Sequence, residues 1–205
     1  MAALVLAVNP RAPEAEPLAR AVTVLRAGGL VAFPTETFYG LGAAALSAAA
    51  ARRVLRAKGR TDGKPILVLV DSVAMVERVA STLAPEARRL MARHWPGALT
   101  LVLPAAADVP DAITAGTGTV GVRWSPHPVA LALVRALGEP VTAPSANRAG
   151  ATPPTTAAAV LADIGDDLEL VLDGGPTPGG TPSTVLDVTT DPPRVLREGA
   201  VRLDP

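Results

Sequence analysis

The chain has 205 residues, 49% of them hydrophobic and 19% charged, and its 19 Lys and Arg balance 19 Asp and Glu to a formal net charge of zero. That size and composition suit a folded globule with a full core, not a disordered chain. The lack of cysteine excludes disulfides and thiolate chemistry, while zero net charge and 2% aromatics leave little basis for a nucleic-acid platform. No apolar run approaches the roughly 18 residues of a membrane helix. The opening MAALVLAVNPRAPEAEP has no basic lead and soon meets acids and prolines, unlike a signal peptide, so a cytoplasmic protein is expected.

In chain order, residues 17–27 space apolar side chains at helical intervals, and Gly28-Gly29 stops them. LVAFPT (30–35) reads as a buried strand, and the alanine-rich 47–58 as a helix with cations in its last turn. After the polar GRTDGKP comes ILVLV (66–70), a continuous apolar strand of the kind covered on both faces. Residues 71–93 read as helical, starting at Asp71-Ser72 and broken at Ala84-Pro85. Strands are expected at 98–105 and 119–124, and a helix at 128–138 between a proline and a glycine. Four short strands at 140–144, 168–174, 183–188 and 193–199, with a helix at 156–163, complete the pattern. Strands and helices alternate early and strands cluster late, which implies one mixed α/β sheet domain over residues 1–205, its core spanning about 17–200. The Pro/Gly-rich loops at 150–155 and 174–182 are too short for linkers and border a site.

Several motifs mislead. GTGTVG (116–121) matches a dinucleotide fingerprint, but its glycines lead into a strand where a helix is required. No Walker-type phosphate loop occurs. His94 and His127 lack metal-ligand spacing, so no metal held by the protein is expected, and His94 reads as a helix-end side chain.

The candidate chemistry lies elsewhere. Lys58, Arg60 and Lys64 crowd one helix-to-strand crossing in KGRTDGKP. Cations there offset a helix dipole, worth about 0.3–1 kcal/mol, but convergent Lys and Arg also suit a polyphosphate. They are not core packing, so losing Lys58 or Arg60 is expected to cost under roughly 1 kcal/mol of stability and about a hundredfold in turnover. Small polar groups gather at strand ends: Thr35, Glu36 and Thr37 in PTETFYGLG, Ser145 and Asn147 in APSANRAG, and Ser183 and Thr184 in TPSTVLDV. Arg123 sits inside the TVGVRW strand, where a cation needs a partner. Ligands of open α/β sheets occupy crevices beyond strand ends, which gives these positions joint meaning.

In this order, the segments resemble the YrdC/TsaC family. The matching pieces are PTET-x-YGLG (34–42), K-x-R (58–60), WPG-x-LT (95–100), V-x-VR-x-P (120–126), S-x-N (145–147), STVLD (183–187) and LREG (196–199). The match runs from about residue 20 to 200, and the chain stops soon after LREG, so the short, single-domain form is expected. The resemblance implies a twisted mixed parallel/antiparallel sheet with flanking helices and a large, basic, concave cavity. It also implies a nucleotidyltransferase that joins L-threonine, bicarbonate and ATP into threonylcarbamoyl-AMP, releasing pyrophosphate, with Mg²⁺ carried on the ATP phosphates. A partner transferase would then pass the threonylcarbamoyl group to an adenosine of tRNA.

Carried over by motif, Thr37, Arg123, Ala143 and Ser183 would hold threonine, Arg123 by a planar fork on its carboxylate. Arg60, Lys64, Thr119, Ser145 and Arg197 would hold ATP, with Lys58 and Asn147 completing their motif pairs, and Lys58 and Arg60 carrying the catalytic charge. The chain departs from the pattern at Thr61 after K-x-R, at Leu69 where a histidine is usual, and at Pro153 where a serine is usual. An RNA-binding module, with a possible weak tRNA contact, is one alternative, opposed by the neutral charge and few aromatics. A carbamoyl-transfer domain of hydrogenase-maturation type is the other, opposed by the chain length and absent cysteines.

Overall fold

The structure is a computed structural model that describes residues 2–59 and 63–203. A short edge strand, β1 (Leu4–Ala7), precedes helix α1 (Ala15–Arg26). The buried stripe of α1 is Leu18, Ala21, Val22 and Leu25, spaced at i, i+3, i+4 and i+7. Gly28, at φ 79°, turns the chain out of it, and the amides of Gly28 and Gly29 cap the carbonyls of Leu25 and Val24. Next come β2 (Val31–Pro34) and β3 (Tyr39–Gly42), every residue of both buried. Helix α2 (Ala48–Ala57) starts where the Ser47 hydroxyl accepts from the Ala50 amide, and it buries Ala50, Ala51, Val54 and Ala57.

After β4 (Leu67–Leu69), the expected helix of residues 71–93 is only two pieces, α3 (Val73–Val76) and α4 (Pro85–His94). The segment between them is taken by the sheet instead. Ala80 bridges Ala105, the Ser81 amide donates to the Pro104 carbonyl, and the Ala106 amide donates to Val79. Tertiary pairing outweighs helix propensity there, which is worth only tenths of a kcal/mol per residue. His94 closes α4, as its sequence context suggests.

Strand β5 (Leu99–Pro104), a single turn α5 (Asp111–Thr114) and β6 (Thr119–Arg123) follow. Gly116 and Gly118, at φ 72° and 71°, lead straight into β6, which removes the dinucleotide reading of GTGTVG. Helix α6 (Pro128–Leu137) is entered through proline and left through Gly138 at φ 76°. The remaining elements are β7 (Val141–Thr142), α7 (Ala157–Ile164), β8 (Leu170–Asp173), β9 (Thr184–Asp187) and β10 (Arg194–Arg197). No helix among the described residues is long and apolar enough to cross a membrane.

The mixed α/β class stands, but the strands form two sheets where one was expected. The four-stranded sheet runs β1-β8-β2-β3 and the six-stranded sheet β10-β9-β5-β6-β4-β7. Parallel pairs (β1/β8, β2/β8, β4/β6, β5/β9) mix with antiparallel ones (β2/β3, β4/β7, β5/β6, β9/β10). Strands β1 and β3 escape the sequence reading. The first is an exposed edge with a short apolar run, and the second hides in PTETFYGLG, where glycine and the preceding polar run suggest a turn. Strands β3 and β7 join the two sheets through the bridges Gly40–Ser145 and Ala44–Val141. The buried Thr142 hydroxyl fastens the same seam, accepting from the Ala43 amide at 2.8 Å and donating to the Leu41 carbonyl at 2.9 Å.

Because side chains alternate along a strand, the six-stranded sheet has two unlike faces. Leu99, Leu101, Leu103, Val120, Val122 and Leu186 belong to the apolar core. The intervening residues Thr100 and Val102 on β5, Thr119, Gly121 and Arg123 on β6, and Val185 and Asp187 on β9 line a cavity.

Thr142→Val keeps the shape but deletes both hydroxyl bonds at the seam. It should lower unfolding free energy by about 1–3 kcal/mol, since a buried amide and carbonyl lose their partner. Thr142→Ser should lose markedly less, as measured by urea denaturation of the three proteins.

Candidate active site

The polar face of the six-stranded sheet is the floor of a cavity of about 840 Å³. The turn carrying Thr35, Thr37 and Phe38 and the segment Ala143–Ala151 wall it, together with the end of α2 and the approach to β4. Thr37, Lys58, Lys64, Thr119, Arg123, Ala143, Ser145, Asn147, Ser183 and Arg197 all line it, as does Thr35, whereas Glu36 and Thr184, the other polar groups noted at strand ends, do not. Arg60, the remaining candidate, and the Thr61 departure lie outside the described residues. Pro153 also lines the cavity, whereas Leu69 is fully buried within β4. Both loops read as bordering a site do so, through Gly150, Ala151, Pro153 and Pro182. A second cavity, about 390 Å³, is walled by Arg53 and Arg56 with Asp166, Asp167 and Glu169; Arg53 pairs with Glu169 at 2.6 Å, and Asp167 with Arg148 at 3.1 Å.

Among the described lining residues, four cations (Lys58, Lys64, Arg123, Arg197) face one carboxylate, Asp187. The Asp187 Oδ1 is itself occupied by the amide and hydroxyl of Thr189, at 2.9 and 2.6 Å. The arrangement is an anion receptor.

Arg123 is only 3% exposed. Its Nε lies 3.3 Å from Oε1 of Glu36, and Glu36 is fixed in turn by the Ser125 hydroxyl, which donates to its Oε2. Burial holds the Arg123 guanidinium below its usual pKa, and Glu36 opposes the shift. With Nε turned to Glu36, the fork expected on a ligand carboxylate would come from the two terminal nitrogens. Arg197 behaves differently. Its Nε and Nη2 donate to the Ser183 carbonyl at 3.0 and 2.8 Å, and Nη2 also donates to the Ser183 hydroxyl at 2.9 Å. Partial burial and the charge of Arg123 both lower its pKa, although the residue sits on an exposed edge strand.

The glycine of LREG has a geometric reason. A Cβ on Gly199 would collide with the Pro182 carbonyl and with the Ser183 and Thr184 backbone. That close approach, with the Ala200 amide donating to the Pro182 carbonyl, seats the chain after β10 against the Ser183 segment.

Lys58 corrects the reading of its role as a surface cation with little structural weight. It is 6% exposed, and its Nζ donates to the Ser145 carbonyl at 2.6 Å and the Asn147 carbonyl at 2.7 Å. It therefore shapes the S-x-N loop as well as adding charge. The Asn147 side-chain amide donates to the carbonyls of Arg148 and Ala151, which fixes its oxygen. That oxygen is buried and lacks a hydrogen-bond partner among the described residues. Sequence reasoning gave no role to Thr100, whose hydroxyl lies 2.9 Å from that of Ser183, nor to Asp187. Strand alternation in LTLV and VLDV was the signal available for both.

A mixed α/β fold whose sheet face forms a cationic cavity is suited to small anionic molecules. The chain belongs to the Sua5/YciO/YrdC family, whose model, described as telomere recombination, matches residues 23–199. It is 46% identical over 180 residues to a threonylcarbamoyl-AMP synthase of Pyrococcus abyssi, covering 88% of this chain and 53% of that protein. The threonylcarbamoyl-AMP synthase of Bacillus subtilis is 43% identical over 185 residues, covering 90% of this chain and 54% of that one. The chain thus spans about half the length of these curated relatives. The crystal structure of P. abyssi Sua5 complexed with L-threonine superposes with a TM-score of 0.92 at 43% identity, covering 96% of this chain and 57% of that one.

Two measurements check this geometry. Lys58→Met removes the donor from two loop carbonyls and should cost about 1–3 kcal/mol of stability in urea denaturation, well above the cost of a surface cation. His127 caps α6, its Nδ1 accepting from the Val129 amide at 3.3 Å, and burial lowers its pKa against the opposing charge of Glu36. The unfolded chain therefore takes up a proton first, near the ordinary histidine pKa of about 6.5. The contribution is full above that pH and shrinks as pH falls below it. His127→Asn, a cap that does not titrate, should flatten the slope of stability between about pH 7 and 5.

Proposed function

We propose that this chain is a threonylcarbamoyl-AMP synthase, converting L-threonine, bicarbonate and ATP into threonylcarbamoyl-AMP and pyrophosphate. The observation that carries the reading is the single cavity in which a buried guanidinium and a separate pair of lysines face one space. It is supported by relatives that bear this name and by the L-threonine in the P. abyssi structure. We read residues 1–205 as one YrdC-like domain with its core at about 17–200, acting in the cytoplasm and passing its product to a transferase that modifies tRNA.

In this reading the terminal nitrogens of Arg123 grip the threonine carboxylate, while Thr37, Ala143 and Ser183 border the amino acid. Lys58, Arg60, Lys64, Thr119, Ser145, Asn147 and Arg197 would hold the nucleotide. The neutral amine of threonine bonds to the carbon of bicarbonate as water leaves, giving a carbamate. A carbamate oxygen then bonds to the α-phosphorus as the bond from that phosphorus to pyrophosphate breaks. The chain supplies alignment and charge neutralisation, and no covalent enzyme intermediate is needed.

No group of three or more His, Asp or Glu side chains among the described residues is placed to hold a metal. The unpartnered oxygen of Asn147 fits a hard cation carried on phosphates, so Asn147 and Ser145 would face it. Bound there, Mg²⁺ would neutralise phosphate charge.

Pyrophosphate should appear only when ATP, Mg²⁺, L-threonine and bicarbonate are all present. Release at an equal rate without threonine would overturn the assignment.

A further inference from the structure

We infer that Arg148, which does not line the cavity, is a positioning residue that clamps the S-x-N loop from behind and so sets the nucleotide half of the site. This deepens the synthase reading and rests on it.

The end of α2 and the S-x-N loop are locked together in both directions. Lys58 Nζ donates to the Ser145 and Asn147 carbonyls at 2.6 and 2.7 Å, while the Lys58 carbonyl accepts from the Ala149 amide at 2.7 Å. A carbonyl left over at the helix C-terminus thus finds its partner in the loop. The turn that follows closes where the Ala151 amide donates to the Arg148 carbonyl at 3.1 Å, with Gly150 at φ 85°.

Arg148 ties that unit to the scaffold behind it. Its amide donates to Oδ2 of Asp163, in α7, at 2.9 Å. Its Nη2 donates to Oδ2 of Asp167 at 3.1 Å, in the short helical turn Gly165–Asp167 that follows α7, and its Nη1 reaches the Ala57 carbonyl at 3.5 Å. One residue therefore joins the loop to α7, to the turn after it and to the end of α2. Its own carbonyl accepts from the Asn147 side-chain amide at 2.9 Å. Rotating the Arg148 peptide would move that acceptor, and with it the Asn147 oxygen, which is buried and unpartnered among the described residues. An ion pair as exposed as Arg148–Asp167 contributes little to stability, so its consequence is geometric. The groups it holds are those assigned to the nucleotide. Arg123, assigned to the threonine carboxylate, is held by Glu36 and Ser125, a network that shares no residue with this one.

The test is calorimetric titration of Mg-ATP and of L-threonine, each alone, into the wild type and four variants. Arg148→Met keeps the side-chain stem and the backbone bond to Asp163 but loses the guanidinium. It should weaken Mg-ATP binding by about three- to fivefold, the upper range for an exposed ion pair, and leave threonine affinity unchanged. Arg148→Lys, which keeps the charge beside Asp167, should bind Mg-ATP within about twofold of wild type. Asp167→Ala decides between a clamp and a simple charge effect. It removes a negative charge, so a field acting on the nucleotide would tighten Mg-ATP binding, whereas the clamp requires it to weaken. Arg148→Met/Asp167→Ala should then bind Mg-ATP no more weakly than Arg148→Met, because the two residues act through one contact. Unchanged or tighter Mg-ATP binding by Asp167→Ala would overturn the clamp, as would an equal loss of both ligands in Arg148→Met. A wild type that binds Mg-ATP but releases no pyrophosphate with all substrates present fails the synthase reading alone, since these affinities are measured without turnover. A wild type that binds no Mg-ATP overturns both.

Discussion

Arg123 is a cation on the polar face of a central strand, and burying it there is unfavourable by several kcal/mol unless it is partnered. Its partner, Glu36, comes from the other sheet, in the turn between β2 and β3. The pair therefore sets the spacing of the two sheets across the cavity, alongside the Thr142 seam that ties β3 to β7. Buried ion pairs contribute little net stability, but breaking one by removing a partner costs about 3–5 kcal/mol. The pair's value lies in geometry, because it turns one edge of the guanidinium away and leaves the other for a ligand.

Around that point the cavity is organised by commitment of polar groups. Lys58 is held by two loop carbonyls, Arg197 by the Ser183 carbonyl and hydroxyl, and the Asn147 amide by two more carbonyls. Each tether removes rotamer freedom before any ligand arrives, so binding loses less entropy in ordering these side chains. Among the described residues, the groups left over are an Asn147 oxygen and the outer edge of Arg123. Preorganised polar groups of this kind can meet a charged ligand without having to reorganise.

Much of this was legible in the sequence. Cap residues and apolar periods placed most helices and strands within a few residues, since Ser47, Pro128 and Gly138 act through the local chain. Residues 77–84 were not legible as non-helix, because their partners Pro104 and Ala105 lie over twenty positions away. Strand β3 was missed for a related reason: its glycines carry no strand propensity, and pairing with β2 supplies it.

Motif order alone already indicated which residues would meet, since the segments from Thr37 to Arg197 converge on one cavity. It determined the cavity's charge for the same reason, because the composition of those motifs is cationic. What each group does there follows from the folded contacts. Lys58 is a loop organiser because Ser145 and Asn147 happen to fall at its tip, and Arg197 is anchored because β10 returns beside Ser183. Hydrogen-bond capacity is a local property of a side chain, but its allocation depends on contacts between segments distant in sequence. Motif spacing carries no record of that allocation.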